Sequence, residues 1–194
     1  MTKTASRTAV IALIATAASP WGPVHVVASD TGVAAIEHDW SADAVARLVG
    51  DRLGGRVAQV EAAAPGDGRE RFLRAGLRAV EEVAAGHEPN VELPLDWRGI
   101  SAWDRRVLEG VRTLRRGEVT SYGRLARRIG APGAARAVGA ALGRNPFWLL
   151  IPCHRVVAGD GSIGGYGGGS DAIEIKRDLL AREGVAVPVA QLVG

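Results

Sequence analysis

The feature that most constrains the fold is the single cysteine of the 194-residue chain, Cys153, because one cysteine cannot form an internal disulfide. The chain must therefore rely on a hydrophobic core, and its 47% hydrophobic and 23% charged residues suit a globular protein of one or two small domains. The run Leu149–Ile151 is apolar and β-compatible and stops at Pro152, which predicts that Cys153 lies at a strand end or tight turn. A basic imidazole, His154, follows directly. An inert buried cysteine is the alternative.

Charge is unevenly distributed along the chain. Residues 98–155 contain 12 arginines, no lysine and 3 acidic residues, a local net charge of +9 in a chain whose formal net charge is +3. Such a segment favours a phosphate backbone as partner, because basic side chains gain affinity by displacing condensed counterions. A solvated arginine-rich surface is the alternative interpretation.

The N-terminus imitates a signal peptide, since Lys3 and Arg7 precede the apolar stretch Ala9–Ala18. We favour a second interpretation, in which Val10–Thr16 is a strand that leads into a turn at Ser19–Pro23. A reactive thiol suits a reducing compartment, so the expected location is the cytoplasm. No run of the sequence approaches the length of a membrane span.

The first half of the chain predicts a small antiparallel meander with helices. The predicted strands are Val10–Thr16, Val24–Ser29 and Val33–Glu37, with Val57–Ala62 as a further candidate. Ser41 is the expected N-cap of a helix that ends at Leu53, and a second helix is predicted over Arg69–Ala85.

A domain seam is predicted between Pro89 and Gly99, where Val91, Leu93 and Leu95 alternate as in an edge strand. We therefore expect an N-terminal α/β scaffold domain, residues 1–93, and a C-terminal domain, residues 94–194.

The C-terminal half predicts three helices. The first covers Ser101–Arg115 with Ser101 as its cap; Thr120 or Ser121 caps the second, Tyr122–Ile129; the third covers Ala134–Leu142. The last two form a helix-turn-helix pattern. Apart from Arg136, the third helix consists mostly of alanine and glycine. It can therefore either enter a DNA groove, with Arg136 as the one cation that projects from it, or pack closely against another helix.

Glycines crowd the loop around Tyr166, beyond the cysteine. Backbone without side chains can approach a planar ligand closely, although a merely flexible loop is the alternative. A closing helix is predicted over Ala172–Glu183.

Four motifs together resemble one family, the O6-alkylguanine-DNA alkyltransferases or methylated-DNA–protein-cysteine methyltransferases. They are Asn145-Pro146, the Ile-Pro-Cys-His-Arg-Val-Val run, the Gly-Tyr-Gly-Gly loop and the Thr-Ser-Tyr-Gly helix start. The resemblance covers nearly the whole chain, including the turn at Ser19–Pro23. It implies an α/β fold with a ribonuclease-H-like antiparallel sheet and helices in the N-terminal domain, and a helical C-terminal domain that carries the helix-turn-helix and accepts the alkyl group.

The resemblance also implies direct, single-use repair without a cofactor. The Cys153 thiolate would attack the alkyl carbon on O6 of guanine, and on O4 of thymine, and would keep the alkyl group as a thioether. His154 and Glu183 would act with a bridging water, and Asn145 would order the turn around the site. The implied partner is double-stranded DNA containing alkylated guanine, bound through its minor groove by a monomer.

The same resemblance implies how the damaged base reaches the sulfur. Arg136 would fill the gap left in the base stack, and Tyr122 would crowd the flipped nucleotide. Backbone groups near Cys153 and Val156 would read the purine edge, opposite a wall formed by Tyr166 and residues 164–168. The full predicted set of substrate- and DNA-binding residues is Ser121, Tyr122, Ala134, Ala135, Arg136, Trp148, Val156, Tyr166 and Gly167.

Three positions depart from the family pattern. Gly167 stands where many members have serine or alanine, and Trp148 where proline or a small residue is expected, which could narrow the alkyl pocket. The segment 169–174 is about three residues longer than usual, which bears on the assignment of Glu183. The N-terminal half has no cysteine, and we predict no structural zinc.

Two rival functions are a non-catalytic binder of damaged DNA and a Cys-His hydrolase. The retained cysteine argues against the first. Adjacent Cys and His are poorly placed to meet in the second, and no oxyanion motif accompanies them.

Overall fold

The computed structural model describes residues 9–62, 64–89, 92–167, 171–188 and 191–193. The described residues form two compact units, one comprising residues 9–78 with 92–99 and the other residues 79–89 with 100–193. The predicted division into domains at residue 93 stays a prediction. Lys3, Arg7, Val91 and residues 168–170 were part of the predictions above but lie outside the described residues.

The first unit contains a four-stranded sheet in the order β3-β2-β1-β4. Its strands are β1 (Val10–Ala17), β2 (Val24–Ser29), β3 (Val33–Glu37) and β4 (Arg56–Gln59). β1, β2 and β3 form the predicted antiparallel meander, with Ile14 opposite Val27 and Val27 opposite Ala35.

The expectation of a wholly antiparallel sheet is wrong at β4, which pairs parallel to β1. The helix that follows β3 carries the chain back across the sheet, and such a crossover brings the next strand in parallel. The strand predicted over Val57–Ala62 is also too long, because Val60–Ala62 forms a 3-10 turn. The sheet is therefore mixed and mainly antiparallel.

Helix α1 (Ala42–Leu53) covers one face of this sheet. Ser41 caps it as predicted, accepting a hydrogen bond from Ala44 N–H at 3.2 Å, and Gly54 ends it in the left-handed conformation. The core between helix and sheet consists of Ala12, Ile14, Val27, Ala34, Ala35, Val45 and Val49. Burial of these apolar side chains is what holds α1 against the strands.

The edge strand predicted near Leu95 is reduced to one parallel bridge between Leu95 and Val33. Beyond it, Asp96 is buried and accepts a hydrogen bond from Ser29 Oγ at 2.6 Å. Gly32 is required beside this segment, since a Cβ there would lie 2.3 Å from the carbonyl oxygen of Pro94.

The second unit is mainly helical. Its helices are the last turns of α2 (Arg69–Ala84), then α3 (Ala102–Arg112), α4 (Tyr122–Arg128), α5 (Ala135–Leu142) and α6 (Ala172–Arg182). Two short parallel strands, β5 (Thr120–Ser121) and β6 (Val156–Val157), pair within it. β5 leads directly into α4, and β6 directly follows the turn that carries Cys153, so the pairing brings these two parts of the chain together.

The structure decides two local predictions in this unit. The helix predicted to reach Arg115 ends at Arg112, and Glu118 accepts a hydrogen bond from the Arg115 N–H instead. Ser121, rather than Thr120, caps α4 by accepting from the Arg124 N–H at 3.3 Å. Thr120 donates to the carbonyl of Val193 at 2.7 Å.

The run Leu149–Ile151 is not a β-strand, and the expectation of a strand end there is wrong. The Ile151 N–H donates to the Phe147 carbonyl at 2.9 Å, which closes a turn, and Leu149 has a positive φ of 69°. Local apolar character cannot distinguish a buried turn from a buried strand. The alternative expectation, a tight turn at Cys153, is the one that the structure shows.

Among the residues that the structure describes, no helix is both long and apolar enough to cross a membrane.

Candidate active site

Cys153 begins a single turn of 3-10 helix, Cys153–Arg155, directly after Pro152, and only 8% of its surface is exposed. The side chain of Asn145 holds this turn. Its Nδ2 donates to the Ile151 carbonyl at 3.1 Å and lies 3.4 Å from Cys153 Sγ, while its Oδ1 accepts from the Phe147 N–H at 3.0 Å. Asn145 thus contacts both the backbone that precedes the cysteine and the sulfur itself.

Burial raises the pKa of the Cys153 thiol, because the thiolate loses hydration. Hydrogen bonds from Asn145 and Tyr166 and the positive charge of Lys176 partly offset this effect. A thiol with a raised pKa is protonated near neutral pH, so chemistry at this sulfur requires a group that removes the proton.

His154 and Glu183 form a buried pair next to the cysteine, with Nε2 of His154 3.0 Å from Oε1 of Glu183. Burial acts to raise the pKa of Glu183, but hydrogen bonds from His154 and Arg155 lower it to about 2, so the carboxylate is ionised. Burial lowers the pKa of His154, which favours the neutral ring. An ionised carboxylate can only accept, so Nε2 carries the ring proton and Nδ1 has a free lone pair.

Nδ1 of His154 is buried and has no hydrogen-bonding partner among the described residues. A buried acceptor without a partner is costly, and a catalytic role or a bound water can account for one. Nδ1 is therefore the atom of this pair that can receive a proton.

Arg155 fixes the carboxylate of this pair. Its guanidinium donates to Glu183 at 2.7 Å through Nη2 and to the Leu114 carbonyl at 2.7 Å through Nη1. The Gly117 N–H also donates to Oε2 of Glu183, at 3.1 Å. These contacts hold Glu183 beside His154.

A cavity of about 270 Å³ opens onto Cys153. Its lining consists of Tyr122, Gly139, Leu142, Gly143, Cys153, Gly165, Tyr166 and Gly167. α4 and α5 supply one side, and the glycine-rich loop that carries Tyr166 supplies the other. The Tyr122 hydroxyl donates to the Gly165 carbonyl at 2.9 Å, which ties the two sides together.

Gly164 permits this close approach. Its φ is +67°, and a Cβ there would lie 3.2 Å from both the Ala158 nitrogen and a ring carbon of Tyr122. A larger residue would strain the backbone and press on the tyrosine that lines the cavity.

Lys176 on α6 is a site residue that the sequence interpretation missed. It is fully buried, and its Nζ donates to the carbonyls of Val156 at 2.7 Å and Gly165 at 2.9 Å. Burial lowers its pKa to about 8, although the charge of Cys153 acts in the opposite direction. One signal was available: the chain has only two lysines, Lys3 and Lys176, among 24 basic residues, and Lys176 lies on the apolar face of its helix.

Trp148 lies behind the cavity wall rather than in its lining. It is 5% exposed, and its indole N–H donates to the Tyr166 hydroxyl at 2.7 Å. Burial raises the pKa of Tyr166 well above its usual range, so its hydroxyl stays protonated. Trp148 therefore affects the cavity through Tyr166.

The remaining predicted residues are not gathered at the sulfur. Arg136 is exposed on the first turn of α5, after the half-buried Ala134 and Ala135. Ser121 is buried as the N-cap of α4, and the carbonyl of the buried Val156 accepts from Lys176. The structure thus brings together the predicted cavity and acid–base groups, while the predicted DNA contacts lie on the helices beside them.

The fold and this site define a chain in which a mainly helical unit presents one buried cysteine at a small cavity next to a His–Glu pair. Residues 102–185 match the family model for the DNA-binding domain of 6-O-methylguanine DNA methyltransferase. A methylated-DNA–protein-cysteine methyltransferase of Salmonella typhimurium is 34% identical over 174 residues, which cover 86% of this chain and 92% of that protein. The chain belongs to the family of methylated-DNA–protein-cysteine methyltransferases.

Other relatives match a little more than half of the chain. The enzyme of that name from Mycolicibacterium paratuberculosis is 48% identical over 113 residues, which cover 57% of this chain and 66% of that protein. The chain thus spans slightly less than two thirds of that relative's length. The crystal structure of Mycobacterium tuberculosis OGT in complex with DNA is similar with a TM-score of 0.68 and 32% identity, covering 88% of this chain and 92% of that one.

Proposed function

We propose that this protein repairs alkylated DNA by moving the alkyl group from O6 of guanine to Cys153. The observation that carries the proposal is that the sole cysteine opens into a cavity that two tyrosines line, beside a buried His–Glu pair. Relatives that carry the name methylated-DNA–protein-cysteine methyltransferase support it.

In the proposed step the thiolate sulfur attacks the alkyl carbon in line with the carbon–oxygen bond. A sulfur–carbon bond forms, the carbon–oxygen bond breaks with its electron pair on O6, and guanine takes up a proton as it is restored. The thioether cannot leave, so each molecule acts once. The proposed step needs no cofactor, because the bond formed and the bond broken account for every electron pair. The same attack on O4-alkylthymine is an extension of the proposal.

His154 is the proposed base. The neutral ring, with Nε2–H directed to the ionised Glu183, leaves Nδ1 to receive the thiol proton, through the bridging water that the family resemblance implies. The resulting imidazolium is stabilised by the adjacent carboxylate, whose pKa of about 2 keeps it charged. Asn145, Tyr166 and Lys176 stabilise the thiolate that remains.

Delivery of the base is proposed to involve α4 and α5 as a helix-turn-helix. A base inside a duplex cannot reach a cavity that opens onto a buried sulfur, so it must be extruded at a cost of a few kcal/mol. The exposed Arg136 on the bare α5 would enter the minor groove and occupy the vacated position. Tyr122 at the start of α4 lines the cavity that would receive the base.

We further propose residues 1–93 as a ribonuclease-H-like scaffold domain and residues 94–194 as the domain that binds DNA and accepts the alkyl group. The sheet order β3-β2-β1-β4 with a covering helix supports the first assignment. The match of residues 102–185 to a DNA-binding domain supports the second. A monomer acting in the cytoplasm is the simplest setting for a single-use thiol.

A titration with excess duplex that contains one O6-methylguanine tests this function. Restored guanine is expected to plateau at one equivalent per protein, because the thioether is permanent. Cys153→Ser should bind the duplex and restore none. Turnover beyond one equivalent, or repair by Cys153→Ser, would contradict the proposal.

A further inference from the structure

Trp148 lies on the turn that leads to Cys153 and contacts Tyr166, one of the groups that stabilise the Cys153 thiolate. The indole N–H of Trp148 donates to the Tyr166 hydroxyl at 2.7 Å, and Tyr166 and Cys153 line the same cavity. A hydrogen bond from this hydroxyl to the sulfur lowers the pKa of Cys153 and so opposes the effect of burial. We propose that Trp148 is a positioning residue, which fixes the Tyr166 hydroxyl as a hydrogen-bond donor to the Cys153 thiolate.

The directions of these hydrogen bonds follow from the groups involved. An indole N–H can only donate, so the Tyr166 oxygen must accept from Trp148. That oxygen carries a single proton, which is then left to donate elsewhere. The thiolate of Cys153 is an acceptor and cannot donate. The indole therefore selects the one orientation of the hydroxyl that stabilises the ionised sulfur.

Trp148 and Tyr166 differ in how firmly the surrounding structure holds them. Trp148 belongs to the turn that Asn145 and the Phe147–Ile151 hydrogen bond hold, the same turn that leads to Cys153. Tyr166 belongs to the glycine-rich loop, whose residues 162–166 form no helix or strand. The indole is thus a fixed donor on the cysteine's own turn, and it anchors a loop side chain that would otherwise have many orientations.

Other groups face the sulfur and are independent of Trp148. They are the Asn145 amide, the Lys176 ammonium and the Tyr122 phenol. Lys176 is anchored by the Val156 and Gly165 carbonyls, and Tyr122 by the Gly165 carbonyl. Removing the indole N–H therefore leaves these contacts in place, so its effect on the thiol can be measured separately.

The test is the pKa of Cys153 in Trp148→Phe, which removes the N–H and keeps an aromatic ring. Because the chain has one cysteine, the ultraviolet absorbance of the thiolate, with Cys153→Ser subtracted, reports this sulfur alone. A hydrogen bond to an ion corresponds to about one to two pKa units. Tyr166→Phe is expected to raise the pKa by about that amount, and Trp148→Phe by roughly half of it, since a freed hydroxyl still donates part of the time.

The double variant Trp148→Phe/Tyr166→Phe shows whether Trp148 acts through Tyr166. If Trp148 acts through Tyr166, Trp148→Phe has no further effect once Tyr166→Phe is present. Trp103→Phe is the matched control, because it also removes an indole hydrogen bond, to the Ala137 carbonyl at 3.4 Å, but away from the cavity; its pKa should equal that of the wild type. An unchanged pKa in Trp148→Phe or in Tyr166→Phe, or additive effects in the double variant, would overturn the proposal.

The inference deepens the proposed function, since a more acidic thiol is a readier alkyl acceptor, but its test contains no DNA. The rate of Cys153 alkylation by iodoacetamide at a fixed pH below the pKa provides a second readout and is expected to fall about three- to tenfold in Trp148→Phe, following its thiolate fraction. A protein that fails to repair DNA but shows these shifts would contradict the repair function alone. A Trp148→Phe protein that repairs slowly with an unchanged pKa would contradict the positioning role alone.

Discussion

Replacing Lys176 by methionine offers a quantitative test of the buried site. In the folded protein burial lowers the pKa of Lys176 from 10.5 to about 8. Between these values the unfolded chain still holds the proton that the folded protein has released. The free energy of unfolding of the wild type therefore rises with pH across this window. The size of the rise is about 3 kcal/mol, since each pKa unit corresponds to about 1.4 kcal/mol.

Methionine at this position cannot titrate and is similar to lysine in length and in its unbranched shape. Urea unfolding of both proteins at a series of pH values from 7 to 10.5 should show the wild type gaining about 3 kcal/mol relative to Lys176→Met. The Cys153→Ser background, measured in parallel, removes the coupling between the lysine and the thiolate. A difference that does not depend on pH would refute a buried lysine with a lowered pKa.

Three further predictions concern the other site residues. Glu183→Gln leaves the buried Arg155 without its nearer carboxylate partner, with only the longer contact to Glu88, and should cost about 3 kcal/mol of stability in urea unfolding. Because the pKa of Glu183 is lowered from 4.5 to about 2, the loss of stability is full above pH 4.5 and shrinks towards pH 2, and a constant difference would contradict the assignment. Arg136→Ala should slow repair of duplex DNA at least about tenfold more than reaction with the free modified base, whereas equal losses would exclude a role in extrusion. Methyl should be transferred faster than benzyl in single-turnover assays, because Trp148 holds Tyr166 in the cavity wall and so narrows the space for the alkyl group. Equal rates for the two groups would contradict a narrowed cavity.

Much of the secondary structure could be predicted because its signals are local. Ser41, Ser101 and Ser121 all cap the helices that follow them, and the alternation of β1 to β3 is sufficient to predict a meander. The parallel pairing of β4 and the turn at Leu149–Ile151 could not be predicted in this way. Both depend on what lies across the fold, and an apolar run has the same composition in a buried turn as in a strand.

The candidate site shows the same division. Cys153, His154 and Asn145 lie within ten residues of one another in the sequence, in two neighbouring motifs, so their proximity could be predicted. Lys176 acts on the sulfur because α6 packs beside the glycine-rich loop; its place on the apolar face of α6 indicates burial, but not which residue 23 positions earlier its charge affects. The contact between Trp148 and Tyr166 likewise joins two separate segments. Its consequence, a directed hydroxyl, depends on a distance of 2.7 Å that no sequence pattern encodes.

Peptide mass spectrometry after incubation with O6-methylguanine duplex tests the central claim most directly. The peptide that contains Cys153 should carry one added methyl group, in an amount equal to the guanine restored, and every other peptide should be unmodified. Restored guanine without methylated Cys153, or a methyl group on another residue, would contradict the account.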